Sequence, residues 1–309
     1  MKDSLYYNYH IKINDLQEYE EYSCFSLYNK KYYFTKVKRD LKEISSIIKI
    51  SEELILKSIP VFPIIKNIKN EYITNVSNDY YVLLEVTDEN KEYDLESIIK
   101  RMGKLSIKPL KDNTRRDNWS ELWTSKVDYM EYQVHSLGRK YPSIVNTFTY
   151  FKGLAENAIC YFNHATLLFK NDNELKLSLC HKRISYPNIR LNYDNPLNFV
   201  IDYEIRDIAS LLKSEMLTNK ELALADLKYY LNTRKPTPKE TYLLYARLLY
   251  PSYYFDEHER IINNSKDEKR LLEITDKITD IESFLKESYL LLNKYYPIDR
   301  IEWLLKKES

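Results

Sequence analysis

The residues predict an α+β fold in two lobes: a small antiparallel sheet with one long helix over residues 1–87, then a larger, mainly helical part over 88–309. Three observations predict it. Between Tyr22 and Val86, β-branched and aromatic residues run in short stretches separated by turn residues. From about Asp94, apolar residues recur at helical spacing instead. A strand, a loop and a second strand then break the helices between 175 and 202.

In chain order, Ser23 to Tyr28 alternates, Asn29-Lys30-Lys31 reads as a turn, and Tyr32 to Val37 completes a hairpin. Asp40 is placed to cap a helix running to about Ser58, with Leu41, Ile44, Ile48 and Ile55 on one face and Pro60 and Pro63 beyond its end. A second hairpin follows from Ile64 to Ile68, Glu71 to Asn75 and Tyr80 to Val86, and the charged stretch Thr87 to Tyr93 reads as a hinge.

Past the hinge, Asp94 to Met102 is a short helix before Gly103, and Lys108 to Asn118 is a polar loop carrying Lys111, Arg115 and Arg116. Ser120 to Leu137 presents Trp123, Val127, Met130, Val134 and Leu137 along one seam, with Gly138 expected as a left-handed cap. In the helix from Thr147 to Phe169, Gly153, Ala155 and Ala158 are expected to admit a close neighbour. Leu175 to Cys180 reads as a strand, Ile189 to Leu191 as an extended piece and Asn198 to Ile201 as a strand. Asp207 is expected to cap the next helix. From Asp226 onward the chain is nearly all helix, interrupted at Pro236, Pro238, Pro251 and Pro297.

Composition excludes several functions. There are only 3 glycines in 309 residues, none near another, so no glycine-rich phosphate cradle can form. Lys and Arg total 47 against 46 for Asp and Glu, which leaves no whole-molecule field to attract nucleic acid. The five histidines lack metal spacing, and neither an HExxH nor a GxSxG motif occurs. Cys24, Cys160 and Cys180 form no CxxC pair and are expected as buried free thiols in a reducing compartment. With no apolar leader and no long apolar span, synthesis in the cytoplasm and no membrane insertion are expected. The 30 tyrosines suit a cross-linked assembly and an AT-rich coding bias alike.

The loop Cys180-His181-Lys182-Arg183-Ile184-Ser185-Tyr186-Pro187-Asn188 is similar to the H-x-D-x-x-x-x-N loop of aminoglycoside-phosphotransferase-like kinases, with His181 and Asn188 at matching positions. Phe199-Val200-Ile201-Asp202-Tyr203-Glu204 resembles their metal-binding strand end, and Asp207-Ile208-Ala209-Ser210-Leu211-Leu212 their next helix start. More specifically, Tyr150 to Ile159 and Leu244 to Phe255 resemble the YutH-type spore coat proteins of the CotS kinase-like group. The likeness covers most of the chain from about residue 20 and implies a bilobal protein-kinase-like fold. It also implies synthesis in the mother cell, deposition on the spore coat, and other coat proteins as partners.

The departures from that pattern bear on activity. In working members the loop Asp handles the hydroxyl proton while Asn and the later Asp hold magnesium. Here the base position is Arg183, which cannot accept a proton; losing a general base costs about 10² to 10⁴ in rate. The first lobe has no glycine, and Glu18, Glu20 and Glu21 cluster where phosphates would need donors. Lys36 stands at the phosphate-pairing position, either paired with Glu43 or Glu52 or simply solvated.

The first expectation is therefore a catalytically inactive kinase-like coat protein acting through protein contacts, with no catalytic residue in the degenerate loop His181, Arg183 and Asn188, no cofactor, and Asp207 structural. The alternative is an atypical phosphotransferase of a small molecule or coat protein. It would use Lys36 on nucleotide phosphate, Asn188 and Asp202 on the metal, and ATP and Mg as cofactors.

Overall fold

The computed structural model describes residues 1–19, 22–86, 92–102, 114–170, 177–264 and 266–305. Glu20, Glu21, Gly103, Lys111, Leu175 and most of the expected hinge lie outside them. The chain divides into two compact units, one of residues 1–93, 110–114 and 188–199, the other of 94–109, 115–187 and 200–309. Against an expected boundary at 87/88, the first unit runs to Tyr93 and takes in a segment from far along the chain.

The chain opens with α1 (Lys2–Tyr9), which no apolar periodicity announces; its one buried residue, Leu5, packs with Phe25, Phe34 and Leu83. The sheet comprises β1 (Gln17–Glu18), β2 (Tyr22–Leu27) and β3 (Lys30–Lys36), then, after α2 (Leu41–Leu56), β4 (Ile64–Ile65), β5 (Thr74–Val76) and β6 (Asp79–Val86). Its order is β1-β2-β3-β6-β4, with β5 also on β6, and every pairing is antiparallel.

The first hairpin turns at Tyr28 and Asn29, with φ of 50° and 59°, instead of at Asn29 to Lys31. Two left-handed residues match strand twist, so Lys30 and Lys31 join the ladder opposite Leu27 and Ser26. Asp40 caps α2 as expected, accepting from Lys42 N at 2.8 Å. The buried stripe of α2 is Ile44, Ile47 and Ile48 against Ile64, Val82 and Leu84; Leu41 and Ile55 sit outside it and are exposed.

The second unit begins with α3 (Leu95–Arg101) and α4 (Trp119–Leu137). On α4, Trp123, Val127 and Met130 are buried, Leu137 is exposed, and Gly138 opens a 3-10 turn to Lys140 in place of the expected left-handed cap. In α5 (Pro142–Leu168) Ala155 and Ala158 are fully buried, but a Cβ on Gly153 would meet nothing within 4 Å, so that glycine admits no close neighbour.

Next come β7 (Leu177–His181), α6 (Ile189–Tyr193) and β8 (Phe199–Tyr203), with β7 and β8 paired. The α6 segment, expected to be extended, is a helical turn belonging to the first unit. There Asp194 accepts from Tyr93 Oη at 2.8 Å and from Arg190 Nε at 3.2 Å.

The remainder is α7 (Ile205–Met216), α8 (Lys220–Arg234), α9 (Pro238–Leu249), α10 (Ser252–Asn264), α11 (Lys269–Thr275), α12 (Ile278–Leu292) and α13 (Glu302–Leu305). Pro238 is the first residue of α9, whose Thr237 and Glu240 form a reciprocal capping box. Cys24 and Cys180 are buried free thiols, whereas Cys160 is exposed. Among the described residues no helix is long and apolar enough to cross a membrane.

Candidate functional site

β7 delivers His181 to the interior, and the first turn of α7 delivers Asp207 to meet it. Asp207 Oδ1 accepts from His181 N at 2.8 Å, and Oδ2 lies 2.7 Å from His181 Nδ1. Asp207 is the third residue of α7, not its cap, which is Glu204. Its carboxylate therefore organises the loop backbone.

Arg183, two residues on, points its guanidinium at Asp256 of α10. Nη2 donates to Oδ1 at 2.6 Å, Nε donates to Oδ2, and Nη1 donates to Lys182 O at 2.7 Å. Both side chains remain somewhat over 40% exposed, so solvent screens the pair. Partial desolvation raises Asp256, yet the Arg183 charge, its hydrogen bonds and the charges of Lys126 and Lys213 together hold the carboxyl below its ordinary value. A forked cation thus occupies the proton-accepting position.

Asp202, at the end of β8, is fully buried. Trp119 Nε1 donates to Oδ1 at 2.8 Å and reaches Oδ2 at 3.1 Å, Tyr203 N donates to Oδ1 at 2.8 Å, and Arg206 Nη1 donates to Oδ2 at 2.5 Å. Arg247 adds a guanidinium nitrogen 4.0 Å from Oδ2 while lying 4.6 Å over the Trp119 ring. A carboxylate offers about four lone-pair sites, and here protein donors occupy its oxygens from several sides. Burial raises the Asp202 carboxyl and pushes Arg247 down to about 9; against it act the Arg206 and Arg247 charges on Asp202 and its hydrogen bonds from Arg206 and Tyr203 N. Arg206 also donates to His181 O at 2.8 Å, tying the strand end to the loop.

Asn188 and Lys36 lie in the first unit. Asn188 is exposed just before α6, makes no side-chain cap bond, and accepts from Asn192 Nδ2 through its carbonyl at 2.9 Å. Lys36 pairs with Asp79 at 2.6 Å, with neither of the glutamates weighed for it. Glu43 is held by Arg39 at 2.7 Å, both buried, and Glu52 accepts from Tyr72 Oη at 2.5 Å. Arg115 forks onto its neighbour Asp117. No group of three or more metal-ligating side chains occurs among the described residues.

Sequence reasoning missed Arg206, Arg247 and Asp256. Arg206 lies four residues after Asp202, a spacing that matters only once the strand turns directly into α7. Arg247 carried a signal: a lone charge inside the apolar run Leu244 to Tyr250.

A family model described as "Spore coat putative kinase YutH" matches residues 2–288. The endospore coat-associated protein YutH of Bacillus subtilis (strain 168) is 24% identical over 342 residues, covering 100% of this chain and 99% of that protein. An aminoglycoside phosphotransferase from Alicyclobacillus acidocaldarius aligns with a TM-score of 0.63 at 11% identity, over 96% of this chain and 97% of that one. A spectinomycin phosphotransferase in complex with ADP and spectinomycin aligns with a TM-score of 0.61 at 11% identity, over 94% and 97%. The likeness to these two structures is one of fold.

Proposed function

From the premise that this chain belongs to the YutH family of spore coat proteins and has a kinase-like fold, we propose that it is a catalytically silent coat component working through contacts with other coat proteins. The observation that carries the reading is the saturated Asp202 carboxylate. An oxygen pair already taken by Arg206, Trp119 and Tyr203 N has to shed a guanidinium before it can take a magnesium ion. Arg183, forked onto Asp256, supplies a second reason, because it offers no base. Lys36, committed to Asp79, is a third. The coat role is carried from the family: the chain is made in the mother cell, joins the coat, and neither binds nucleic acid nor inserts in a membrane.

The test is nucleotide. Mg-ATP is expected to leave the melting temperature of the purified chain unchanged, and neither the native chain nor Arg183→Asp should hydrolyse ATP. Turnover by the native chain would establish the alternative phosphotransferase built on Lys36, Asn188 and Asp202 with ATP and Mg; an ATP-dependent shift lost in Asp202→Ala would count against the silent reading, and turnover by Arg183→Asp alone would show that the rest of the site is intact. Fluorescent labelling in sporulating cells checks the other half, with signal expected at the spore surface; signal that stays in the mother-cell cytoplasm would refute coat deposition.

A further inference from the structure

Beside Arg183 the second unit holds a cavity of about 500 Å³, walled by the loop after β7 and by α7, α10 and α11. That volume lies in the usual range for small-molecule sites. Its chemistry is one-sided.

The carboxylates on the wall are largely spent. Asp256 accepts the Arg183 fork, and Glu257 accepts from Arg260 Nε at 2.9 Å and Nη2 at 2.5 Å. The serines are spent only as acceptors. Ser210 Oγ accepts from Ile184 N at 2.9 Å, Ser214 Oγ from Tyr186 N at 2.8 Å, and Ser252 Oγ from Lys213 Nζ at 3.0 Å. Among the described residues no acceptor receives the hydroxyl proton of any of the three, so each has a donor left to offer.

Lys213 is 6% exposed, and its Nζ donates to Arg247 O at 2.9 Å, Tyr250 O at 3.0 Å and Ser252 Oγ. Burial first, and the Arg247 charge next, pull it toward the neutral amine, while the Asp256 charge pulls toward the ammonium. Among the described residues no carboxylate reaches it within 4 Å, and the Asp256 charge acts on it from farther off. Arg270, 72% exposed with its Nε 3.8 Å from Glu257, and Lys277, whose Nζ donates to Leu217 O, add positive charge from the α11 side, where Glu273 is exposed. Surplus O–H donors in a concavity edged by the Arg270 and Lys277 charges match an oxyanion.

We infer that this cavity is a binding site for a phosphate group, free or carried by a small organic molecule. The site uses none of Lys36, Asn188 or Asp202, so it is independent of whether the chain is catalytically silent.

Equilibrium dialysis against inorganic phosphate at constant ionic strength tests it, with glycerol 3-phosphate as competitor. One saturable site per chain is expected, with Kd below about 1 mM. Whichever of the two displaces the other at lower concentration identifies the source. Arg270→Glu, at an exposed position that leaves folding intact, is expected to weaken binding at least about tenfold, the effect of a ~1.4 kcal/mol loss. Ser214→Ala should weaken it about threefold or more, since water can still satisfy the exposed Tyr186 N–H. Absence of saturable phosphate binding by the native chain, or an affinity unchanged in both variants, would overturn the assignment.

Discussion

Arg206 Nη1 donates to Asp202 Oδ2 at 2.5 Å, four residues along the chain and out of reach of solvent. Strand β8 ends and α7 begins with almost no intervening loop, so a carboxylate on the strand meets a guanidinium on the first helical turn. Removing one partner of a buried pair leaves a stranded charge, at a cost of about 3–5 kcal/mol. Arg206→Met should lose stability on that scale in urea titration. Asp202→Asn should lose at least as much, because it strands the Arg206 and Arg247 charges together and turns one acceptor oxygen into an NH2 facing N–H donors.

Asp207 predicts a separate effect, since its carboxylate accepts from both the backbone and the ring of His181. Asp207→Ala leaves a buried N–H without an acceptor, costing about 2–3 kcal/mol. Arg183→Ala, by contrast, breaks a solvent-screened pair and should cost no more than about 1 kcal/mol. Comparing the two denaturation midpoints measures the difference directly.

His258 is fully buried beside Phe148 and Tyr254, and neither ring nitrogen finds a partner among the described residues. Burial first, and the Lys126 charge second, push its pKa down from 6.5 to about 4. Above about pH 6.5 both folded and unfolded chains hold it neutral. As the pH falls from there toward 4, only the unfolded chain takes up the proton, so up to about 3 kcal/mol of stability is lost. Melting temperatures at pH 7.5 and 5 should differ accordingly, and His258→Phe should flatten the difference.

Glu215 works in the opposite direction. Burial, together with the neighbouring Asp226, pushes its carboxyl up to about 9. Between about pH 4.5 and 9 the unfolded chain releases this proton while the folded chain keeps it, so stability falls as pH rises through that window. Glu215→Gln keeps a donor toward Asp226 and removes the titration. It should stabilise the chain at pH 8 by on the order of 2 kcal/mol and have little effect at pH 4.5.

Much of the fold was legible because its signals are local. The alternation around β2 and β3, the Asp40 cap of α2 and the Thr237-Pro238 start of α9 each need only a few neighbouring residues. Where local pattern does not decide an element, the deciding contact is distant. α1 holds its place through Leu5 against Phe25, Phe34 and Leu83, and the α6 segment is helical where it was expected to be extended, its Asp194 held by Tyr93. Neither contact has a periodicity that a window of sequence can register.

The same division runs through the candidate site. Residue order alone carries the likeness of the loop and strand end to a kinase-like pattern, the Arg183 in place of a carboxylate, and the lack of glycine for a phosphate lid. It left the Lys36 partner open between two glutamates, and tertiary structure decided for Asp79. Tertiary structure also decided the company of Asp202: Trp119, Arg206 and Arg247 come from three separate helices. A side chain's identity is written in one position, but its charge environment is the sum of what folding packs around it, and in a buried site that sum depends on residues more than eighty positions away.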